Sequence, residues 1–173
     1  MRWDAILKRV SDNAIIAEIG VWKAINAMNI LQQNETVKLC LIDRWTPYSE
    51  KERQQEELYS ISDAKNKTYK HAKRRVKEKT EPYKNRVTIH DMESIKAAEL
   101  YPDDFFDLVF IDALHSYEGC LSDIKAWFSK VKNGGYIGGH DYTSHPGVKK
   151  AVDEFFFEYE IEFDSDKTWF VKI

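Results

Sequence analysis

The fold of this chain is decided by the stretch Asp107-Leu-Val-Phe-Ile-Asp-Ala-Leu-His-Ser-Tyr-Glu-Gly119. Its four consecutive apolar residues, 108–111, predict a strand that is covered on both faces, as in a parallel sheet. The strand leads into Asp112 and His115, and a helix is expected to begin at Tyr117. In open α/β sheets, the carboxyl ends of the strands form the edge where ligands bind. Asp112 and His115 are therefore candidate site residues.

Strands and helices alternate along the rest of the sequence. Apolar runs predict further strands at 13–19, 37–42, 86–90 and 136–140. Apolar residues at helical spacing predict helices at 23–33, 95–100, 117–131 (closed by Asn133-Gly-Gly135) and 146–159. Two last strands, 161–163 and 168–171, flank a hairpin signal at 164–167. This alternation predicts a doubly wound α/β sheet with an antiparallel edge, forming one domain over residues 1–173.

The segment 46–85 differs from the rest in composition. Between Ser49 and Thr80 it has neither Gly nor Pro, so we expect mostly helix, interrupted near Asp63, acting as a lid or an acceptor-side insertion. Within it, the basic stretch 65–79 contains Lys65, Lys67, Lys70, Lys73, Arg74, Arg75, Lys77 and Lys79 against Glu78 alone. This stretch is either a solvated helix face or a rim that attracts an acidic substrate or a phosphate.

Overall composition narrows the class of protein. The chain has 173 residues, 43% hydrophobic and 32% charged, with a net charge of −3, which is typical of a soluble globular protein and not of a nucleic-acid binder. Cys40 and Cys120 form no C-x-x-C pair, so we expect buried reduced thiols. No signal peptide or membrane span is evident. We expect a cytoplasmic protein whose partner is a small molecule. A homo-oligomer is also compatible with this composition.

The first strand-to-helix turn, Ala17 to Asn26, suggests the ligand. Glu18 precedes Gly20 in a pattern that is not the dinucleotide fingerprint, and an acid here would suit an amine and a sulfonium cation better than a pyrophosphate. Asp43, about twenty residues further along, is placed to accept the hydroxyl protons of a ribose. An amine, a ribose and a positive centre together describe S-adenosylmethionine. A turn with a purely structural role is the alternative.

Five motifs occur in the order seen in a known family: Glu18-Ile-Gly-Val, Asp43, Phe110-Ile-Asp-Ala-Leu-His-Ser-Tyr-Glu118, Gly134-Gly-Tyr-Ile-Gly-Gly-His-Asp-Tyr142 and Pro146-Gly-Val-Lys-Lys-Ala-Val152. From about Ala14 onward, the chain resembles class I methyltransferases of the family 24 and macrocin-O-methyltransferase-like groups. The resemblance implies a Rossmann-like sheet of seven strands in the order 3-2-1-4-5-7-6, with strand 7 antiparallel.

The resemblance also implies a cofactor site. Its residues are Glu18, Gly20, Trp22, Asp43, Arg44, Asp91, Met92, Asp112, Ala113 and His115. Glu18, Gly20 and Trp22 would line the methionine end, Asp43 would bind the ribose, and Asp91 and Met92 would flank the adenine. Two residues depart from the family pattern. Ala24 replaces a third glycine, which would crowd the helix turn and weaken cofactor binding, and Asn26 stands where Ser or Thr is common.

The catalytic candidates lie after the fourth and fifth strands. Asp112 and Asp141 end adjacent strands and would suit Mg²⁺, which would hold a substrate hydroxyl and lower its pKa. Metal-using relatives have Asp or Asn where this chain has Tyr142, so a ligand is missing, and Asp112 would otherwise hold the cofactor or a nearby base. His115 is the candidate base and His140 a second candidate. His71, His90 and His145 are expected to have ordinary roles.

Three functions remain open. The first is O-methylation of a small-molecule hydroxyl, a sugar being one candidate, with S-adenosylmethionine as the donor. The second is a nucleic-acid methyltransferase that binds through the basic stretch 65–79, although motifs for base amino groups or cytosine carbons are lacking. The third is a non-catalytic cofactor-binding or assembly domain, suggested by Ala24 and by an N-terminus in which we expect no helix to cover the acceptor site.

Overall fold

The computed structural model describes residues 1–55, 66–164 and 166–173. The described strands are β1 (Ile15–Ile19), β2 (Lys38–Asp43), β3 (Val87–Asp91), β4 (Phe106–Ile111), β5 (Val131–Gly139), β6 (Ile161–Asp164) and β7 (Thr168–Lys172). The helices are α1 (Arg2–Leu7), α2 (Ile25–Gln33), α3 (Glu50–Gln55), α4 (Asn66–Thr80), α5 (Ser94–Ala98), α6 (Tyr117–Phe128) and α7 (Pro146–Phe155), and a 3₁₀ turn spans Glu81–Tyr83.

The strands form one sheet in the order β3-β2-β1-β4-β5-β7-β6. Strands β1 to β5 run parallel, whereas β7 is antiparallel to both β5 and β6. The expected Rossmann-like order with an antiparallel strand 7 is thereby confirmed. The carboxyl ends of β1, β2, β4 and β5 meet at one edge, which carries the site described below.

The sheet is covered on both faces, which explains the unbroken apolar run of β4. Side chains alternate along a strand, so Val109 and Ile111 pack with α5, α6 and α7, where Ile124 and Val152 lie in the same cluster. Phe110 points to the opposite face, where residues of α1, α2 and α4 form a second cluster. The side chains of Val109, Phe110 and Ile111 are all buried. The central strand is thus the structural support for Asp112 at its end.

The region between α6 and β5 differs from our expectation. Helix α6 ends at Phe128, and β5 begins at Val131 instead of at Tyr136, so the predicted helix over 117–131 was too long. Asn133-Gly-Gly135 does not cap the helix. It lies in the strand, at a register shift between the pairs Phe106–Val131 and Leu108–Tyr136, with Gly134 at φ +82°. A register shift with two consecutive glycines, Gly134 and Gly135, resembles a helix cap in sequence, because both need an unusual backbone.

Two helices also differ from the prediction. Helix α7 ends at Phe155, because Phe156 leaves the helical region (φ −103°, ψ 29°), so Tyr159 lies outside it. Helix α1 was not expected. Six residues are too few for a clear helical period, although α1 buries Ala5 and Ile6 against the sheet.

The segment 46–85 is helical where it is described, in α3 and α4, and the interruption expected near Asp63 lies outside the described residues, as does Lys65. Helix α4 buries Tyr69, Ala72 and Val76, whereas Lys70, Arg74, Arg75 and Lys77 are exposed. Cys40 and Cys120 are free and buried, as predicted. Within the described part of the chain, no helix is both long and apolar enough to cross a membrane.

Candidate active site

A cavity of about 1070 Å³ opens at the carboxyl edge of the sheet. Among the residues that line it are most of the predicted site residues: Glu18, Gly20, Trp22, Asp43, Arg44, Met92, Asp112, Ala113, His115, His140 and Asp141. A cavity of this size is ample for a nucleoside-sized ligand. The sheet topology therefore brings together residues that are up to 123 positions apart in sequence, from Glu18 to Asp141.

The turn after β1 is closely fitted to the strand beside it. Gly20 has φ +89°, and a Cβ built there would lie 2.1 Å from the carbonyl oxygen of Asp112, so only glycine is accommodated. Trp22 and Ala24 also have positive φ, +49° and +56°. The backbone N–H of Trp22 donates to Asp43 Oδ2 over 2.8 Å, which fixes the turn to the end of β2. The chain backbone thereby forms part of the cavity wall.

Glu18 and Asn26 are buried polar residues with unused hydrogen-bonding groups. Both are 4% exposed, and among the described residues Glu18 Oε2 and the two amide atoms of Asn26 have no partner with full hydrogen-bond geometry. Burial, and next the negative charge of Asp112, raise the pKa of Glu18 to about 8. The Asn26 side chain is nevertheless close enough to Glu18 to act against the rise in its pKa. Leaving such groups unsatisfied costs free energy, so these atoms are suited to a polar ligand. An ammonium and a carboxylate, as in the methionine part of S-adenosylmethionine, would satisfy them.

Asp43 is held rigidly at the end of β2. Its Oδ1 accepts the backbone N–H of Trp45 over 2.7 Å, in addition to the bond from Trp22. Burial raises the pKa of Asp43, although these backbone hydrogen bonds act against that rise. A carboxylate accepts about four hydrogen bonds, so Asp43 can still accept a hydroxyl proton beside the backbone hydrogen bonds from Trp22, Trp45 and Val21. Its position fits the predicted contact with a ribose.

Arg44 lines the same part of the cavity, and its guanidinium is already engaged. Its Nη1 lies 2.8 Å from Glu52 and 3.1 Å from Glu93. Although burial alone would raise the pKa of Glu52, its hydrogen bond with Arg44 lowers that pKa to about 2. Arg44 therefore ties α3 to the loop after β3. Its direct contact with a cofactor remains a prediction.

The two residues that we expected beside the adenine, Asp91 and Met92, have different surroundings at the end of β3. Met92 lines the cavity, whereas Asp91 is absent from its wall and forms an ion pair with Lys73 of α4. Asp91 therefore lies outside the group that the structure brings together. The ion pair joins α4 to the end of β3, and the predicted contact of Asp91 with the adenine stays a prediction.

A cluster of acids and histidines forms the other end of the cavity. Asp141 Oδ2 lies 3.3 Å from His115 Nε2 and 2.9 Å from His140 Nδ1, and Asp141 Oδ1 lies 3.3 Å from His145 Nδ1. Burial raises the pKa of Asp141, but hydrogen bonds with His115, His140 and Ser144 outweigh it and hold the pKa well below its usual range. Asp141 is therefore a carboxylate near neutral pH, and its oxygens orient the surrounding rings.

Asp112 joins this cluster from the end of β4. Its Oδ1 lies 4.0 Å from His115 Nε2 and 3.8 Å from His140 Nδ1. Its Oδ2 contacts the guanidinium of Arg2, whose Nε also lies 4.0 Å from Asp166 Oδ2. Helix α1 therefore covers this end of the cavity, contrary to the expectation of an uncovered acceptor site.

The residues present fit a divalent cation only in part. Asp112, His115 and Asp141 offer ligand atoms that all lie within 4.8 Å of one another. However, a cation, Arg2, already contacts Asp112. The residue after Asp141 is no ligand either, since the hydroxyl of Tyr142 donates to Asp153 over 2.6 Å. The residues at this edge therefore do not form a complete site for a divalent cation.

Three residues of the site were not recognised from the sequence. His145, expected to be ordinary, stacks on His115 with ring centroids 4.2 Å apart. Its position four residues after Asp141 was the available signal, since that spacing brings the ring back over the carboxylate. Arg2 and Asp123 also line the cavity. For these two no local pattern existed, because their partners come from distant parts of the chain.

The fold and the first turn define a class I methyltransferase domain. The chain belongs to the methyltransferase domain family Methyltransf_24, whose model matches residues 17–142. No curated protein sequence matches the chain.

Solved structures confirm the fold at low sequence identity. The calicheamicin methyltransferase CalS11 is 12% identical, with a TM-score of 0.72 over 99% of this chain and 77% of that one. The O-methyltransferase NovP is 20% identical, with a TM-score of 0.68 over 99% and 78%. An rRNA methylase from Streptococcus thermophilus is 10% identical, with a TM-score of 0.62 over 99% and 92%. These matches establish the fold.

Proposed function

We propose that the protein transfers the methyl group of S-adenosylmethionine to a hydroxyl oxygen of a small molecule. The observation that carries this proposal is the position of His115, which lies at the cavity edge with Nε2 3.3 Å from Asp141, a carboxylate that is ionised near neutral pH. A histidine oriented in this way is suited to take a hydroxyl proton. The structural similarity of CalS11 and NovP supports an O-methyltransferase, and a sugar hydroxyl is one acceptor to test.

Different residues of the chain perform different parts of the proposed reaction. Glu18 and Asn26 bind the amino-acid part of the cofactor and Asp43 binds the ribose, so that the methyl group faces the Asp112–Asp141 edge. The cofactor supplies an electrophilic methyl group. As the acceptor oxygen bonds to that carbon, the bond from carbon to sulfur breaks and its electron pair stays on sulfur, giving S-adenosylhomocysteine. Alignment of the two reactants supplies much of the rate increase.

The proton of the acceptor hydroxyl goes to His115. A neutral imidazole has one N–H and one basic nitrogen. With Nε2–H directed at Asp141, the basic lone pair lies on Nδ1, and the imidazolium that forms is stabilised by the adjacent carboxylate. Asp141 therefore acts on the acceptor through His115. His140, 2.9 Å from the same carboxylate, is the second candidate base.

Substitution of His115 tests this role. We expect His115→Ala to bind S-adenosylhomocysteine within threefold of wild type and to lose at least about 100-fold in turnover, which is typical for removal of a general base. Calorimetry measures the binding, and S-adenosylhomocysteine release with a panel of sugars and phenols measures the turnover. His71→Ala, which changes an exposed histidine on α4, is the matched control. Undiminished turnover in His115→Ala would assign the base to His140 or to no histidine.

A nucleic-acid substrate is the second candidate, and one observation favours it. Tyr69 of α4 lines the cavity, so the basic outer face of α4 adjoins the cavity wall. Part of that charge is already used, since Lys73 pairs with Asp91, and Arg74 and Arg75 lie near Glu78. Binding of RNA or DNA that weakens steeply with salt would support this candidate. Cofactor binding without turnover on any acceptor class would support the non-catalytic alternative.

A further inference from the structure

Asp123 is a buried carboxyl that the proposed reaction does not use. It lies on α6, is 6% exposed and lines the same cavity as Met92 and Ser94. This end of the cavity lies at the loop after β3, away from the Asp112–His115–Asp141 cluster. A buried acid in a cavity wall requires a hydrogen-bonding partner, so its surroundings are informative.

The neighbours of Asp123 fix its orientation and leave it able to accept more hydrogen bonds. The Ser94 hydroxyl accepts the indole N–H of Trp127 over 2.9 Å. A serine hydroxyl has a single proton, and here that proton goes to Asp123. Burial raises the pKa of Asp123 to about 6, with a further rise from the charge of Glu93, so the group is mostly ionised at pH 7.5. An ionised carboxylate accepts about four hydrogen bonds, of which Ser94 supplies one.

We infer that Asp123 accepts a hydrogen bond from the exocyclic amine of the cofactor's adenine and so determines which base the cavity takes. This inference rests on the proposed use of S-adenosylmethionine. Met92 supplies an apolar surface for the ring at the same place, and Asp43 holds the ribose at the end of the adjacent strand. An amine with two N–H groups is complementary to a carboxylate that is already oriented by Ser94.

The inference predicts discrimination between two otherwise similar ligands. S-inosylhomocysteine carries a carbonyl oxygen where S-adenosylhomocysteine carries the amine. A carbonyl facing the Asp123 carboxylate would place two acceptors together and leave both unsatisfied. Sites built to bind an N–H group reject analogues that lack it strongly. We expect wild-type protein to bind the inosyl compound at least about 100-fold more weakly.

Asp123→Asn reverses the hydrogen-bonding character at nearly constant shape. The amide N–H of asparagine donates to the carbonyl of the inosyl ligand, so we expect the ratio of the two affinities to fall at least tenfold. Ser94→Ala keeps the carboxylate and removes its positioning hydroxyl, and we expect an intermediate ratio. Asp104→Asn is the matched control, because Asp104 is exposed and its φ of +55° suits asparagine. Its ratio should equal that of wild type.

Calorimetric titration of both ligands into the wild-type protein and the three variants tests whether Asp123 binds the amine. If wild type binds S-adenosylhomocysteine and takes the inosyl compound within threefold, the inference is overturned, whatever the variants do. It is equally overturned if a folded Asp123→Asn keeps the wild-type ratio. If wild type binds neither ligand at millimolar concentration, the proposed function itself fails. That result differs from loss of discrimination, in which S-adenosylhomocysteine still binds.

Discussion

Among single residues, Glu18 gives the proposed cofactor site its clearest support. It is fully enclosed beside Asn26, and its neighbours with charge are Asp112, Arg2 and Asp43. Its pKa rises from 4.5 to about 8, first through burial and then through the charge of Asp112. A carboxyl whose folded pKa is raised contributes most to stability below pH 4.5, and this contribution is lost as the pH rises through about 8. Without ligand, we therefore expect stability to fall over this range.

Cofactor binding should reverse the protonation of Glu18. An ammonium favours the carboxylate, so binding of S-adenosylhomocysteine near pH 7 is expected to release about one proton, and the affinity should rise with pH up to about 8. Glu18→Gln should abolish both the release and the slope. Calorimetry in two buffers of different protonation enthalpy measures the proton count. A wild-type titration with no proton release would show that Glu18 does not face the ammonium.

Gly20 and Gly134 both have positive φ, so comparing them separates the effect of the close contact at Gly20 from that of the backbone conformation. Gly20→Ala should cost about 2–5 kcal/mol, because it adds both a left-handed backbone penalty and a steric overlap. The overlap is with the Asp112 backbone, 2.1 Å from the added Cβ. Gly134→Ala has a similar φ and nothing within 4 Å of the added Cβ, so it should cost only about 1–2 kcal/mol. Urea unfolding measures both, and equal costs would contradict the close fit of the turn.

Among the elements, α1 covers the end of the cavity that contains Asp112 and Asp141, through Arg2. The guanidinium lies where a cation would otherwise neutralise Asp112. We therefore expect wild-type activity to survive chelation of metal ions, and Mn²⁺ to bind at least tenfold more tightly to Arg2→Ala than to wild type. Spin resonance of Mn²⁺ measures this directly. Tight Mn²⁺ binding to wild type, with loss of activity on chelation, would restore the metal site.

The elements that the sequence predicted well are those with long apolar periods. The strand at 108–111 and the helix from Tyr117 were recognisable because burial on both faces, or on one helix face, requires a regular pattern. The start of β5 was missed, since its register shift and the consecutive glycines Gly134 and Gly135 give no strand alternation. Helix α1 was missed because only Ala5 and Ile6 are buried in its six residues.

The candidate site was predictable where residues follow a strand directly. Glu18, Asp43, Asp112 and Asp141 are placed by the ends of β1, β2, β4 and β5, so their convergence follows from strand order. Arg2 meets Asp112 across 110 positions of sequence, and such a contact depends on how α1 packs. Asp91 follows the same strand-end rule, yet its carboxylate pairs with Lys73 because α4 lies beside it.

At the scale of the whole molecule, the fold defines the cofactor better than the acceptor. The same sheet is shared with CalS11, NovP and an rRNA methylase at 10–20% identity. The cavity edge near Arg2, His115 and Asp166 is therefore the place to change when acceptor preference is studied. Ala24, buried with φ +56°, is a further position at which glycine would relieve strain.

Calorimetric titration of S-adenosylhomocysteine into the wild-type protein tests the central claim most directly. We expect one site per chain with micromolar affinity, and loss of that binding in Asp43→Ala, since Asp43 fixes the turn at Trp22 and is the proposed ribose contact. Asp104→Ala, on the exposed surface, should bind like wild type. Absence of binding by the folded wild-type protein at millimolar ligand would contradict the account.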